Sequence, residues 1–452
     1  MRRQVERATD YPRVGLMLPS SAGFAGVFFG ALWAGRTAIP LNFLLNSAEL
    51  RAIVEDAGLD AIFTIRHFAD LLHEVPARKV FLEELPLKRE MILERFRRPP
   101  PAPDVSPDDL AVILYTSGTV GAPKGVCLTY RNLRSNAAAC IEAARLTGRH
   151  RFLGILPLFH TFGLTAMLIV PAALGAAVHY LPRFSPASIV HAVRDQRISV
   201  VMAVASMYGA LLRLKEASRD DFQTVAYAIS GGEPLPQTVY DGFRERFGLP
   251  LVQGYGLTET APVVSLDLPW AHRPGTVGRA VPGVRVAAFD DFGRQLPPGQ
   301  EGELWISGPN VMQGYYRRPE DTAAVLTRDG WFKSGDLGTV DADGYIRITG
   351  RKKELIIVGG DNVYPREIET VLDAHPAVAE SAVVGAPDAS RGEVPVAFAV
   401  LKEGAAASEV ELREHCRGLL AGYKVPRRVI VRSDLPRGPT GKLLKRKLKE
   451  LL

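Results

Sequence analysis

The segment Tyr115-Thr-Ser-Gly-Thr-Val-Gly-Ala-Pro-Lys-Gly125 constrains this chain more than any other. It follows the apolar run Leu110–Tyr115, which reads as a buried strand ending at a loop. Its small residues let the backbone curl tightly, so that N–H groups face an anion. Thr116, Ser117 and Thr119 add hydroxyl donors, Gly118 and Gly121 give the curl, and Lys124 adds a positive charge within reach of a phosphate. That is the chemistry of a triphosphate cradle. It is not a Walker loop, because the lysine follows Ala-Pro and precedes glycine. The bland alternative, a surface Gly/Pro turn, does not explain three hydroxyls, three glycines and Pro-Lys-Gly in one order.

The surrounding chain supplies a fold for such a loop. Val14–Leu18 and Ala61–Ile65 read as strands and Ala22–Ala34 as a helix packed on them, and residues 150–250 repeat the pattern, so the fold class is α/β. Pro99–Pro103 is a stiff connector. Between Val277 and Thr349 short strands alternate with Pro-Gly and Asp-Gly turns, a β-rich subdomain. Gly350–Lys353 reads as a polar break, and the remainder as a small α+β domain. The expected division is a large domain over 1–350 and a small one over 351–452.

Composition removes several classes. A net charge of +6 over 452 residues, with no basic arm or aromatic-interleaved stripe, argues against a nucleic-acid partner. Cys127, Cys140 and Cys416 have neither disulfide nor zinc spacing. The uncharged run Val14–Gly35 and the apolar run Phe152–Leu181 are interrupted by proline, glycine and polar residues, so they read as short buried elements rather than membrane spans. The expected location is cytoplasmic. The tail interleaves Lys445, Arg446, Lys447 and Lys449 with leucines and reads as an amphipathic solvated helix, with peripheral membrane contact as the lesser expectation.

Further constellations follow. In Gln253-Gly-Tyr-Gly-Leu-Thr-Glu-Thr260, Gly254 and Gly256 flank Tyr255 so that a flat base can approach its ring, while Thr258 and Glu259 offer a hydroxyl and a magnesium-type carboxylate. Gly231, Gly232 and Glu233 follow the strand Val225–Ile229 and suit close approach of a base edge. The Gly335-Asp336 pair can accept ribose hydroxyls, although alone it is more simply a turn. His160, in Leu156-Pro-Leu-Phe-His160-Thr-Phe-Gly163, would ordinarily be a packed histidine.

Together with Gly350-Arg-Lys-Lys353, Gly359-Gly-Asp-Asn-Val-Tyr-Pro365 and Pro439-Thr-Gly-Lys442, these motifs resemble, in order, the adenylate-forming (AMP-binding) superfamily, most closely its acyl-CoA synthetases. Val120 departs from the usual threonine. The resemblance implies the adenylate-forming enzyme fold with a small mobile C-terminal domain, and a chain lacking the family's first N-terminal elements. It implies that Thr116, Ser117, Gly118, Thr119, Gly121, Lys124, Gly231, Gly232, Glu233, Tyr255, Gly256, Thr258, Asp336, Arg351 and Lys442 bind ATP or AMP, and that Glu259 holds Mg2+. His160, Phe162, Gly163 and Gly254 would line the acyl pocket. Lys353 would be the hinge and Gly359 and Gly360 would border the coenzyme A tunnel. Lys442, with Glu259, Thr116 and His160, would be catalytic.

The implied activity is ATP-dependent conversion of a medium- or long-chain fatty acid to acyl-AMP, then transfer to coenzyme A. Gly15–Pro19, Ile62–Thr64 and Ala261–Ser265 also resemble the synthetase half of bifunctional acyl-carrier-protein synthetase/phospholipid acyltransferases, which makes a carrier-protein phosphopantetheine the alternative acceptor. A truncated, non-catalytic nucleotide-binding protein is the alternative of another class.

Overall fold

A computed structural model describes residues 1–87, 90, 92, 96, 101–116, 123–437 and 443–452. Four sheets organise these residues. The first runs, edge to edge, Gly314–Tyr315, Lys124–Thr129, Leu110–Thr116, Thr37–Pro40, Arg13–Leu16, Ala61–Thr64 and Arg78–Phe81. The second runs Arg279–Ala280, Val263–Leu266, Leu251–Gly256, Tyr227–Gly231, Val200–Ala203, Arg151–Gly154 and Ala177–Tyr180. The inner parallel strands Thr37–Pro40, Ala61–Thr64, Val200–Ala203 and Tyr227–Gly231 are wholly buried, which explains why they read as continuous apolar runs. One buried apolar cluster spans helices and strands of both sheets.

The helix Tyr130–Ala143 fastens the two sheets together beside the expected site. It starts where Lys124–Thr129 ends, with a Thr129/Asn132 capping box. Buried Asn132 donates to the carbonyls of Pro309 and Val311 at 2.9 and 2.8 Å. Buried Asn136 donates to Val263 O at 2.7 Å and accepts from Val263 N at 3.1 Å. Buried amides without partners are costly, so both side chains hold their loops firmly.

The third sheet is antiparallel: Arg285–Phe289, Gly302–Ser307, Phe332–Val340 and Ile346–Arg351. Here one expectation is corrected. Gly350 and Arg351 do not form a polar break but continue the last strand, because Leu337 pairs with Gly350 and Asp336 with Arg351. The turn comes at Lys352–Glu354. The fourth sheet joins Asp361–Val363, Ile356–Val358, Gly392–Leu401, Val378–Asp388 and Arg428–Arg432 around its own core.

The two apolar runs break into short elements, including the 12-residue helix Ala22–Trp33. Among the described residues no helix is long and apolar enough to cross a membrane. All three cysteines are free and buried. In the tail helix Lys445–Lys449, Leu448 is fully buried and Lys445 is ion-paired rather than solvated, which corrects that part of the tail reading.

Candidate active site

Antiparallel pairing of Leu110–Thr116 with Lys124–Thr129 sets Thr116 opposite Lys124 and Tyr115 opposite Gly125. The mouth of the phosphate loop is therefore built, while Ser117, Gly118, Thr119, Val120 and Gly121 lie outside the described residues. The Thr116 hydroxyl donates to Lys124 O at 3.4 Å. Gly125 is required by packing, since a Cβ there would lie 2.7 Å from Ile113 Cγ2. Lys124 Nζ meets Asp321 at 2.7 Å and lies 5.3 Å from the Tyr315 ring centroid. Tyr315 in turn donates its hydroxyl to Glu259 Oε1 at 2.8 Å. Burial, reinforced by Glu259, raises the Tyr315 phenol above its ordinary value, which keeps it a donor.

Glu259 sits on the turn Thr258–Thr260 directly after the strand Leu251–Gly256, half-buried beside the equally half-buried Thr258. Its carbonyl accepts from Met312 N at 2.8 Å, and Asn310 donates to Thr260 O at 2.9 Å, so the turn is tied to the 310–312 segment. No cluster of three or more metal-ligating side chains occurs among the described residues. A single hard carboxylate fits magnesium nonetheless, because that ion binds through one or two carboxylates and completes its shell with phosphates and water.

Among the residues expected to hold the nucleoside, Tyr255 donates to Asp336 Oδ2 at 2.6 Å, and Arg351 Nε meets Asp336 Oδ1 at 2.7 Å. The sheet register that extends the strand to Arg351 makes this contact. Burial, then the Asp336 charge, drives the Tyr255 phenol far above its usual range. Burial pulls Arg351 down, but Asp336 leads the opposing charges that leave it raised.

Gly231 pairs with Gly254 across the sheet. A Cβ on Gly231 would lie 3.2 Å from the Phe162 ring, and one on Gly254 3.3 Å from Leu266. A Cβ on Gly256 would lie 2.1 Å from Pro262 O, and one on Gly163 2.2 Å from Pro157 O, so these two positions exclude any side chain. Gly232 has φ +81°. Phe162, Gly231 and Gly254 thus meet on one face. His160 is exposed beside Phe159, whose ring meets Phe43 edge-on at 5.0 Å. Glu233 has a structural partner: it accepts from Ser206 N at 2.7 Å in the first turn of the helix Ala205–Arg213.

Lys353 is exposed on its turn. Gly359 and Gly360 form a two-residue hairpin turn with φ +61° and +95°, which glycine adopts at little cost. Lys442 lies outside the described residues. Flanking it, Arg437 and Leu443 form an antiparallel bridge, and Lys445 meets Glu354 and Glu369 at 2.8 Å each.

Sequence reading missed Tyr315 and Asp321, which only the pairing of Gly314–Tyr315 with Lys124–Thr129 brings to the site. It also missed a cavity of about 250 Å³ in the C-terminal region, lined by Arg391, Arg413, Arg417, Arg427 and Tyr423. These side chains come from separate elements, so no linear motif announces them.

Comparison with known proteins adds independent findings. A family model described as "AMP-binding enzyme" matches residues 7–316, and one described as "AMP-binding enzyme C-terminal domain" matches residues 367–442. The chain is 35% identical to a long-chain-fatty-acid–CoA ligase of Bacillus subtilis, over 97% of this chain and 85% of that protein. It is 38% identical to a feruloyl-CoA synthase of Amycolatopsis, over 96% and 87%. ATP-bound MatB from Rhodopseudomonas palustris superposes with a TM-score of 0.91 at 33% identity, covering 99% of this chain and 90% of that one. The o-succinylbenzoate coenzyme A synthetase of B. subtilis in complex with ATP and magnesium superposes at 0.86 with 31% identity, covering 99% and 91%.

Proposed function

The chain belongs to the AMP-binding enzyme family and is an AMP-forming acid–thiol ligase, and from that premise we propose that its acid is a medium- or long-chain fatty acid and its thiol that of coenzyme A. The observation that carries the site reading is the pair of tyrosine bridges: Tyr255 ties the base-facing strand to Asp336, and Tyr315 ties Glu259 to the strand of Lys124. The fatty-acid reading is supported by the similarity to long-chain-fatty-acid–CoA ligases, and the edge-on pair of Phe159 and Phe43 puts apolar surface beside His160. Coenzyme A is supported by the arginine-lined cavity, which suits a phosphorylated nucleotide.

In this reading the acid's carboxylate attacks the α-phosphorus of ATP and pyrophosphate leaves. The protein supplies no nucleophile. It positions the reactants and offsets charge. Thr116, Lys124 and the loop amides hold phosphates, Asp336 and Arg351 hold the ribose, and Tyr255 with Gly231, Gly232 and Gly256 seats the base. Magnesium, held by Glu259, would neutralise phosphate charge. Lys442 bridges carboxylate and α-phosphate. The unit beyond Lys353 then turns about that residue, which withdraws Lys442 and brings the Gly359-Gly360 hairpin to the thiol path.

The test is a panel of octanoate to palmitate, ferulate and short acids with ATP and magnesium, offering coenzyme A or a phosphopantetheinylated carrier protein. Long-chain acyl-CoA is the expected product. Preference for ferulate, or for carrier protein, overturns the substrate or the acceptor separately. Lys442→Ala should abolish adenylation and spare thioester formation from supplied acyl-AMP. Equal loss in both removes the role given to Lys442.

A further inference from the structure

The lysine read above as a phosphate contact already has an anionic partner within the chain. Lys124 Nζ lies 2.7 Å from Asp321 Oδ1. Asp321 occupies the first turn of the helix Pro319–Val325, where an acidic side chain is favoured by the helix dipole. That turn is fixed against the site, because Thr322 Oγ1 accepts from Tyr315 N at 2.9 Å and Tyr315 pairs with Val126 on the strand of Lys124. The two side chains are 31% and 37% exposed, so the pair is neither buried nor freely solvated.

A phosphate oxygen bonded to Nζ would sit about 2.8 Å from it. With Asp321 on the same ammonium, the two anions would then be no more than about 5.5 Å apart, well inside a Debye length. Either they repel at that distance, or Lys124 releases Asp321 and forfeits that pair. Both routes oppose phosphate binding. We propose that Asp321 is a built-in competitor for phosphate at Lys124, which weakens the hold on ATP and on pyrophosphate and so eases departure of the product. This rests on the reading of Lys124 as a phosphate contact. Asp321 touches no reacting atom in this scheme; it acts through Lys124.

The full chain and its Asp321→Asn, Asp321→Glu, Lys124→Met and Lys124→Met/Asp321→Asn variants would be titrated calorimetrically with ATP, pyrophosphate and AMP, with magnesium and without acid. Asp321→Asn should tighten ATP and pyrophosphate about fivefold, leave AMP within about twofold, and lose its effect in the Lys124→Met background. Asp321→Glu should match the parent. Weaker or unchanged binding of ATP by Asp321→Asn, or a gain that persists without Lys124, overturns the proposal. If Lys124→Met binds ATP as tightly as the parent, the phosphate reading of Lys124 is what fails. Matching thermal unfolding curves confirm that each variant is folded.

Discussion

The two ends of the proposed nucleotide site handle charge differently. At the nucleoside end the Asp336 side chain is 3% exposed and takes a hydrogen bond from Tyr255 and an ion pair from Arg351. At the phosphate end Lys124 and Asp321 are each about one-third exposed, and Tyr315 bonds a half-buried Glu259. A buried carboxylate must be satisfied from within the chain, because leaving it unpaired is costly. A partly exposed cation can exchange one anion for another at small cost, because such pairs contribute little net stability. The first end suits rigid recognition of a constant ribose. The second suits phosphates that must enter and leave.

That contrast can be broken by experiment. Asp336→Asn removes the buried charge, strands Arg351, and should lower kcat/KM for ATP about 100-fold while costing about 2–3 kcal/mol of stability in urea titrations. A loss of less than tenfold would erase the distinction between the two ends. Tyr255→Phe keeps the ring and deletes one bond to a buried carboxylate, so KM for ATP should rise about tenfold. At the other end Tyr315→Phe deletes a bond to a half-exposed carboxylate, and KM for ATP should rise only about threefold. If Tyr315→Phe costs more than Tyr255→Phe, the order assigned here is reversed. The smallest effect is expected at Val120→Thr, which should lower KM for ATP about twofold by adding one donor to the loop. A worse constant would mean that the valine serves another contact.

Much of the fold was legible because the deciding interactions are local. Leu110–Thr116, Ala61–Thr64 and Ala22–Trp33 announce themselves as apolar runs, since burial leaves the strands few polar positions and the helix packs most of its length on the core. The polar break was misread for the opposite reason. Gly350 and Arg351 look like a turn, yet cross-strand pairing with Leu337 and Asp336 holds them in the sheet. Glu233 offered itself in sequence as a ligand contact, and the structure adds a partner that no local pattern shows, the first turn of a helix whose start lies 28 residues earlier.

The sequence by itself determined the chemistry on offer: a glycine-rich loop with hydroxyls and Lys124, a carboxylate at Glu259, an acid at Asp336 and a lysine at Lys442. These lie in short contiguous motifs, so residue type and spacing are enough to see them. Only the tertiary structure decided which of them share partners. Tyr315 reaches Glu259, and Asp321 reaches Lys124, through strand pairing between segments almost 190 residues apart, and the arginine-lined cavity gathers side chains from separate elements. Contacts of that kind depend on register and packing, which no local pattern of residues encodes.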